Sequence, residues 1–224
     1  PFAKAINFEE KSTDMIAVEE KKEVKKARKL KAEKEIPSYL IYEWLDGVPV
    51  YYKGYRDVLN KTKKFEEIMA YGDLQAILLT YIRKYLESAL SNKYFLIQGE
   101  TGVHIEHKTN PSLDLCIFLS KQISIKKAAN KYFEIAPLVV IEVDTKADMT
   151  AFEEQAQGNY FMIKTQKLLD FGVETMVWVF TNIEKVTIAR PNQPWLIVDW
   201  KDEIEILGHR FSINQVIESS ETEE

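Results

Sequence analysis

The sequence predicts an α/β fold in which helices flank one mixed β-sheet. Short apolar runs that are typical of strands recur through residues 93–200. A long amphipathic helix precedes them, and a second helical segment separates the earlier strands from the later ones. This order of helix, strands, helix and strands favours a mixed β-sheet that is flanked by helices.

The N-terminal part of the chain differs from the rest in composition. Residues 1–36 are charged and poor in large apolar side chains, and Pro37 closes them, so we interpret them as an N-terminal extension. Within it, Lys21 to Lys34 form a basic run of good helix formers. The run is either a solvated helix or disordered lead-in, or an arm that binds nucleic acid. We expect the folded domain at residues 37–218 and a solvated acidic tail at 219–224.

The domain is predicted to open with a small turn-containing unit and a helix. YLIYEWLDGVPVYY indicates a helix end or strand, a turn at Asp46 and Gly47, and a short strand. From Leu74 to Ala89, apolar residues recur at steps of three and four, which predicts a long amphipathic helix. We expect this helix to lie on the sheet, because only a packed neighbour buries its apolar stripe.

The sheet is predicted from runs that turn-forming residues separate. Four candidate strands come first: KYFLIQG, GVHIEHK, LDLCIFL and APLVVIEV. A helix from about Thr150 to Phe171 follows, and Gly172 suits its C-terminal end. TMVWVF, KVTIAR and WLIVDW are three further strands, with a short strand near Ile204 and a helix around Val216.

Composition limits the compartment and the partners. Cys116 is the single cysteine and lies in an apolar run, which excludes a disulfide framework and favours a cytoplasmic protein. No apolar segment approaches the roughly 20 residues of a membrane span, and PFAKAINFEE lacks the apolar centre of a signal peptide, so we expect no membrane contact. The net charge of -5 argues against a protein that coats nucleic acid nonspecifically.

Two carboxylates stand inside apolar strand sequence, Asp114 in PSLDLCIF and Glu142 in LVVIEVDT. A buried charged carboxylate is costly unless it is paired or bound to a cation. Asp144 lies two residues beyond Glu142, so strand alternation would put both on one face. Three crowded acids would raise one another's pKa, whereas a divalent cation such as Mg²⁺ would hold them ionised. The alternative is that one of them pairs with a lysine or caps a turn.

A lysine near these acids is predicted from the second helix. Lys164 falls between Tyr160 and Leu168 on the apolar stripe of that helix, so its side chain should point inward. A lysine on such a face can instead pack its stem and extend its ammonium group to water. Lys167 lies at the edge of the stripe and Lys146 in the loop after the acids, and either could substitute.

Together these segments resemble the Uma-two family, bacterial members of the PD-(D/E)xK restriction-endonuclease-like superfamily. The resemblance runs from about Tyr42 to Asp199 and includes YEWLDG, PSLDLCIF, APLVVIEVDT and KTQKLLDFGVETMVWVF. Lys164 lies eight residues before the Gly-Val that precedes the aromatic strand, as in the family. Two residues separate Pro111 from Asp114, where the family has Pro-Asp adjacent, and Asp144 stands where the wider superfamily has a lysine.

The resemblance implies a restriction-endonuclease-like mixed β-sheet flanked by α-helices, and metal-dependent hydrolysis of phosphodiester bonds with DNA as the substrate. It leaves a homodimer open. Two alternatives remain: a catalytically inactive module of this fold that binds nucleic acid or protein, and a metal-dependent hydrolase of another substrate.

The family's roles transfer to matching positions of this sequence. The resemblance implies that Asp114 and Glu142 bind Mg²⁺ or Mn²⁺, and that Lys164 is the motif lysine, moved from a strand to a helix. In such a site the cation polarises the phosphodiester, while the lysine orients the attacking water or offsets developing charge. The further candidates are the backbone carbonyl of Val143 and the side chains of Asp144, Lys146 and Glu43.

Overall fold

A six-stranded mixed sheet organises the residues that the computed structural model describes, which are 36–70, 72–156 and 158–221. Tyr39–Glu224 forms one compact unit. Residues 1–35 of the predicted N-terminal extension, with its basic run, lie outside the described residues, as do the last three residues of the predicted acidic tail. No helix within the described ranges is long and apolar enough to cross a membrane.

Ten strands and six helices make up the described part of the chain. The strands are β1 (Ile41–Leu45), β2 (Val48–Tyr51), β3 (Tyr94–Gly102), β4 (Ser112–Leu119), β5 (Val139–Val143), β6 (Thr175–Phe180), β7 (Lys185–Ala189), β8 (Leu196–Asp199), β9 (Ile204–Ile206) and β10 (His209–Phe211). The helices are α1 (Tyr55–Leu59), α2 (Glu66–Met69), α3 (Asp73–Ala89), α4 (Met149–Ala156), α5 (Tyr160–Phe171) and α6 (Ile213–Glu221), with short 3-10 turns at Ser38–Leu40, Ser120–Gln122 and Ile125–Lys127.

The main sheet has the strand order β3-β4-β5-β6-β7-β8. β5 and β6 pair in parallel, whereas the other neighbours in this sheet are antiparallel. The parallel pair needs a crossover, and α4 and α5 supply it. β1 with β2, and β9 with β10, form separate two-stranded sheets. The predicted α/β fold with a mixed sheet and flanking helices is confirmed.

Alternation along the strands divides the core into two layers. Ile141 and Val143 of β5 face the layer that contains α3 and α6, in contact with Leu78 and Ile82. Val140 faces the opposite layer, which contains α4, α5 and the β1–β2 hairpin. Each Leu or Ile buried in this way contributes roughly 1.5–3 kcal/mol. Glu142 shares the face of Val140, so its carboxylate enters this second, mostly apolar layer.

The predicted strand GVHIEHK is wrong. β3 ends at Gly102, and residues 103–111 form the connection to β4 with isolated bridges, Val103 to Phe133 and Glu106 to Thr109. The β3–β4 register shifts between Gln98 and Thr101, so β3 already reaches the start of β4 before this segment begins. Val103 is buried in the core and Ile105 packs against the same cluster, but neither extends the ladder.

The predicted helix from 150 to 171 is two helices, α4 and α5. The break contains Gly158, which has low helix propensity, and Asn159, whose side chain accepts a hydrogen bond from the Met162 amide at 3.1 Å. Asn159 therefore begins a new helix at its N-cap. The predicted end at Gly172 is confirmed, since this residue has φ 118° and its N–H bonds back to the last turn of α5.

The C-terminal end of the domain contains two features that periodicity did not predict. The three-residue strand β10 pairs with β9. α6 continues through Glu221, so the predicted domain boundary at residue 218 falls within a helix.

Candidate active site

The candidate site lies where β4 and β5 stop pairing. Their register runs Ile117 to Val139 and ends at Leu115 opposite Ile141, immediately before Asp114 and Glu142. Beyond that point a side chain connects the strands, because Asp114 Oδ2 accepts a hydrogen bond from the Val143 amide at 3.0 Å. The two acids predicted from the sequence thus lie on adjacent strands, at the same end of the pair.

Lys164 enters this region from α5. Tyr160 and Lys164 are one helical turn apart and both face the sheet, as the apolar stripe predicts. The Lys164 side chain is fully buried, with 0% exposure. The atoms around its Nζ are the Ser112 carbonyl oxygen at 2.8 Å, Glu43 Oε2 at 3.1 Å, Glu142 Oε1 at 3.3 Å and the Tyr160 hydroxyl at 3.3 Å.

Glu43 on β1 completes the surroundings of the lysine. Its carboxylate accepts three hydrogen bonds: from the Ser112 amide at 2.9 Å, from the Tyr160 hydroxyl at 2.7 Å and from Lys164 at 3.1 Å. Glu43, which the resemblance gave as a further candidate for the site, therefore contacts Lys164. With donors on both of its oxygens, Glu43 holds Lys164 against Glu142 and ties the β1–β2 hairpin to β4.

Among the described residues, the buried acids at the site outnumber the buried lysines. Asp114, Glu43 and Glu142 are 3%, 4% and 1% exposed, so one lysine accompanies three buried acids. Burial alone would lower the pKa of Lys164, but the carboxylates of Glu142 and Glu43 outweigh it and the pKa is raised. With all four groups ionised, the formal charge is about -2, which is the charge that one divalent cation neutralises.

Glu142 is the acid whose pKa responds most to this environment. Burial raises the pKa of Glu142 well above its usual range, the charge of Lys164 opposes that shift, and Asp114 and Glu43 add to it. Although Lys164 lies 3.3 Å from Glu142 Oε1, that oxygen accepts no hydrogen bond from the described residues. We assign the positive charge to Lys164, which Glu43 also stabilises, and a proton or a cation to Glu142.

This assignment predicts how stability depends on pH. The folded protein binds the Glu142 proton more tightly than the unfolded chain does, whose glutamates titrate near pH 4.3. The resulting stabilisation is fully present below that pH and is lost as the pH rises through the raised folded-state pKa. In metal-free buffer, Glu142→Gln should therefore gain stability relative to the unmodified protein as the pH increases.

Urea unfolding between about pH 5 and about pH 8, with EDTA present, measures this difference. Subtracting the two curves removes the contributions of the other acids, which both proteins share. Parallel curves across the range would contradict the assignment of the proton to Glu142.

Asp144 does not join the other acids, which corrects the expectation from strand alternation. β5 ends at Val143, and Asp144 has φ 54°, so the period of two no longer applies there. Its carboxylate accepts hydrogen bonds from the Thr181 amide at 2.9 Å and the Thr181 hydroxyl at 2.6 Å. Asp144 therefore caps the turn after β6, which is one of the alternatives that the sequence left open.

The two alternative lysines are engaged elsewhere. Lys146 forms an ion pair with Glu100 and donates to the Met69 carbonyl at 3.0 Å. Lys167 contacts Asp46 at 2.8 Å and Glu106 at 2.9 Å at the partly exposed edge of α5. Of the three candidate lysines, Lys164 is the one whose ammonium group contacts Glu142.

Gln75 on α3 belongs to the site and was not predicted. Its amide Nε2 donates to the Val143 carbonyl at 2.6 Å and lies 3.4 Å from Asp114 Oδ2. The signal was present in the sequence, because Gln75 precedes the buried Leu78 and Leu79 by three and four residues. It therefore continues the stripe of α3 that faces the sheet.

The donor atoms fit a divalent cation by their chemistry. Asp114, Glu142 and the Val143 carbonyl supply oxygen ligands, which Mg²⁺ and Mn²⁺ prefer. Within the described ranges, no three His, Cys, Asp or Glu side chains are grouped so as to hold a metal. A cation here would therefore depend on two carboxylates and on neutral oxygens.

Comparison with known proteins supports the fold. No protein-family model matches the sequence, and no curated protein matches it. Among solved structures, the chain is similar to "a putative nuclease belonging to DUF820" from Anabaena variabilis, with a TM-score of 0.53 and 13% identity. The match covers 78% of this chain and 88% of that one. The fold expected from the Uma-two resemblance is thereby confirmed.

Proposed function

We propose that the protein is a metal-dependent endonuclease that hydrolyses phosphodiester bonds of DNA. One observation supports this above the others: on a nuclease-like fold, β4 and β5 stop pairing beside Asp114 and Glu142, and Lys164 lies 3.3 Å from Glu142. Two buried acids on adjacent strands offer the oxygen ligands that a divalent cation prefers. The same fold and acids support membership of the Uma-two family, and we further propose a cytoplasmic location in a bacterium.

In this proposal each residue of the site has a separate role. Asp114 and Glu142, with the Val143 carbonyl, would hold Mg²⁺ or Mn²⁺. Such an ion supplies a Lewis acid for the phosphoryl oxygen and lowers the pKa of a bound water. Lys164 holds the Glu142 carboxylate in place and supplies positive charge beside the position where negative charge develops on the phosphate. Glu43 in turn orients Lys164.

A second candidate is a catalytically inactive module of the same fold. The observation that favours it is the complete burial of Lys164, whose ammonium group is surrounded by protein oxygens. Such a module would use its surface to bind nucleic acid or protein and would need no metal.

A nuclease assay distinguishes the two candidates. Supercoiled plasmid and single-stranded DNA are incubated with the purified protein in Mg²⁺, in Mn²⁺ and in EDTA. We expect cleavage with at least one of the two metals and none in EDTA. Cleavage that persists in EDTA would refute the metal-dependent mechanism. An absence of cleavage in both metals would favour the inactive module.

A further inference from the structure

We propose that Gln75 is a ligand of the cation, and that its amide group turns over when the cation binds. The inference rests on the proposed function, because it concerns the same ion. In the structure, the Gln75 NH₂ group bridges Val143 and Asp114. With the ion present, Gln75 Oε1 takes the place of that group and coordinates the metal.

The first argument is positional. Nε2 of Gln75 lies 2.6 Å from one proposed ligand oxygen, the Val143 carbonyl, and 3.4 Å from a second, Asp114 Oδ2. An NH₂ group has two hydrogens, so it can donate to both oxygens at once. The amide thus occupies the position between two oxygens that the cation would share, and it satisfies them as a donor while no cation is there.

The second argument comes from the chemistry of the amide. Its donor and its acceptor are attached to the same carbon, and the terminal torsion of glutamine is broad and roughly two-fold. A half-turn exchanges nitrogen for oxygen with little movement of the rest of the side chain. Side-chain amide oxygens are ordinary ligands of hard divalent cations. The same side chain therefore suits both states of the site.

The third argument is one of charge and access. Three acids, Lys164 and a divalent cation sum to zero, so a neutral fourth ligand leaves the occupied site without net charge. Gln75 is partly exposed, whereas Asp114, which it contacts at 3.4 Å, is 3% exposed. Gln75 therefore covers Asp114 on the side of α3.

Titration of the metal-free protein with Mn²⁺, measured by calorimetry, tests the proposal. Gln75→Met keeps the length of the side chain but removes both donor and oxygen, and we expect Mn²⁺ affinity to fall about tenfold or more. Gln75→Glu cannot donate a hydrogen bond to Asp114 or Val143 but supplies an oxygen, so we expect it to bind Mn²⁺ at least as tightly as the unmodified protein. Gln155→Met is the matched control, because Gln155 bonds within its own helix to Ala151.

The outcomes separate this inference from the proposed function. If the unmodified protein binds Mn²⁺ and Gln75→Met binds it equally well, Gln75 is not a ligand, whereas the proposed function stands. If Gln75→Glu binds as weakly as Gln75→Met, then Gln75 acts only by donating hydrogen bonds, and the ligand role is overturned. If neither the unmodified protein nor Asp114→Asn binds Mn²⁺, the proposed function fails, and the ligand role fails with it. Unfolding curves in EDTA establish that each variant is folded.

Discussion

Replacing Lys164 with methionine is expected to lower the free energy of unfolding by about 3–5 kcal/mol, the cost of removing one partner from a buried ion pair. Methionine fills most of the volume of the lysine stem, so little of the loss comes from a cavity. What remains is Glu43 and Glu142, two buried acids without the ammonium group that lies within 3.3 Å of both. Urea unfolding at neutral pH in EDTA measures the loss.

Lys167→Met is the matched control for this experiment. Lys167 lies on the same helix and forms ion pairs with Asp46 and Glu106, but these acids are 57% and 53% exposed. We expect its replacement to cost less than about 1 kcal/mol. Equal losses in the two variants would contradict the importance of the buried pair. Adding Glu142→Gln to Lys164→Met should recover part of the loss, because one of the uncompensated acids is then neutral.

Under conditions in which Lys164→Met is folded, its cleavage rate should fall by roughly two to four orders of magnitude relative to the unmodified protein. This is the usual scale for the loss of a positioned electrostatic group. Lys146→Ala should cost far less, since Lys146 is held by Glu100 and Met69. Full activity in a folded Lys164 variant, with activity lost in Lys146→Ala, would transfer the catalytic role to the loop lysine.

Asp114→Asn is expected to reduce metal-dependent cleavage by about three orders of magnitude, since losing a charged ligand removes several kcal/mol of stabilisation and each 1.36 kcal/mol is tenfold in rate. The fold should survive, because the asparagine oxygen can still accept the hydrogen bond from the Val143 amide. Initial cleavage rates in Mg²⁺ and Mn²⁺ measure the effect, and a Mn²⁺ titration reports the loss of affinity separately.

Asp144→Asn is the control, matched in chemistry and located just beyond the adjacent strand. Its carboxylate bonds to Thr181, so its replacement should leave the cleavage rate within a small factor of the unmodified protein. If the two variants lose activity equally, Asp144 belongs to the site in spite of its contacts. If Asp114→Asn cleaves at full rate, Asp114 is not a metal ligand.

Local periodicity predicted the elements that hold the site and the direction of Lys164. A stripe with steps of three and four residues reports which face of a helix is buried, and this is enough to turn Lys164 inward. Likewise, the apolar runs around Asp114 and Glu142 identify two strands, even though the sequence does not say which strands they pair with. These signals depend only on neighbours in sequence.

What periodicity did not predict depends on long-range contacts or on a single backbone angle. The Asp144 side chain leaves the site because of the positive φ of that residue at the end of β5, which a pattern of apolar residues does not encode. Gln75 reaches Asp114 across 39 residues, where α3 crosses the opening between two strands. Its role appears only once the strand order and the end of the β4–β5 pairing are known.

The hydrogen bond between Glu43 and Lys164 also has a consequence for how the chain folds. The two residues are 121 positions apart, and the Tyr160 hydroxyl that shares the Glu43 carboxylate is 117 positions away. During synthesis, the β1–β2 hairpin leaves the ribosome long before α5 exists, so Glu43 has neither Lys164 nor Tyr160 to bind. Contacts between residues so far apart in sequence form slowly, because the entropy of closing the intervening loop is lost before the contacts can stabilise the chain. The charged centre is therefore assembled late in folding, and a chain interrupted before α5 exposes a carboxylate that the finished protein buries.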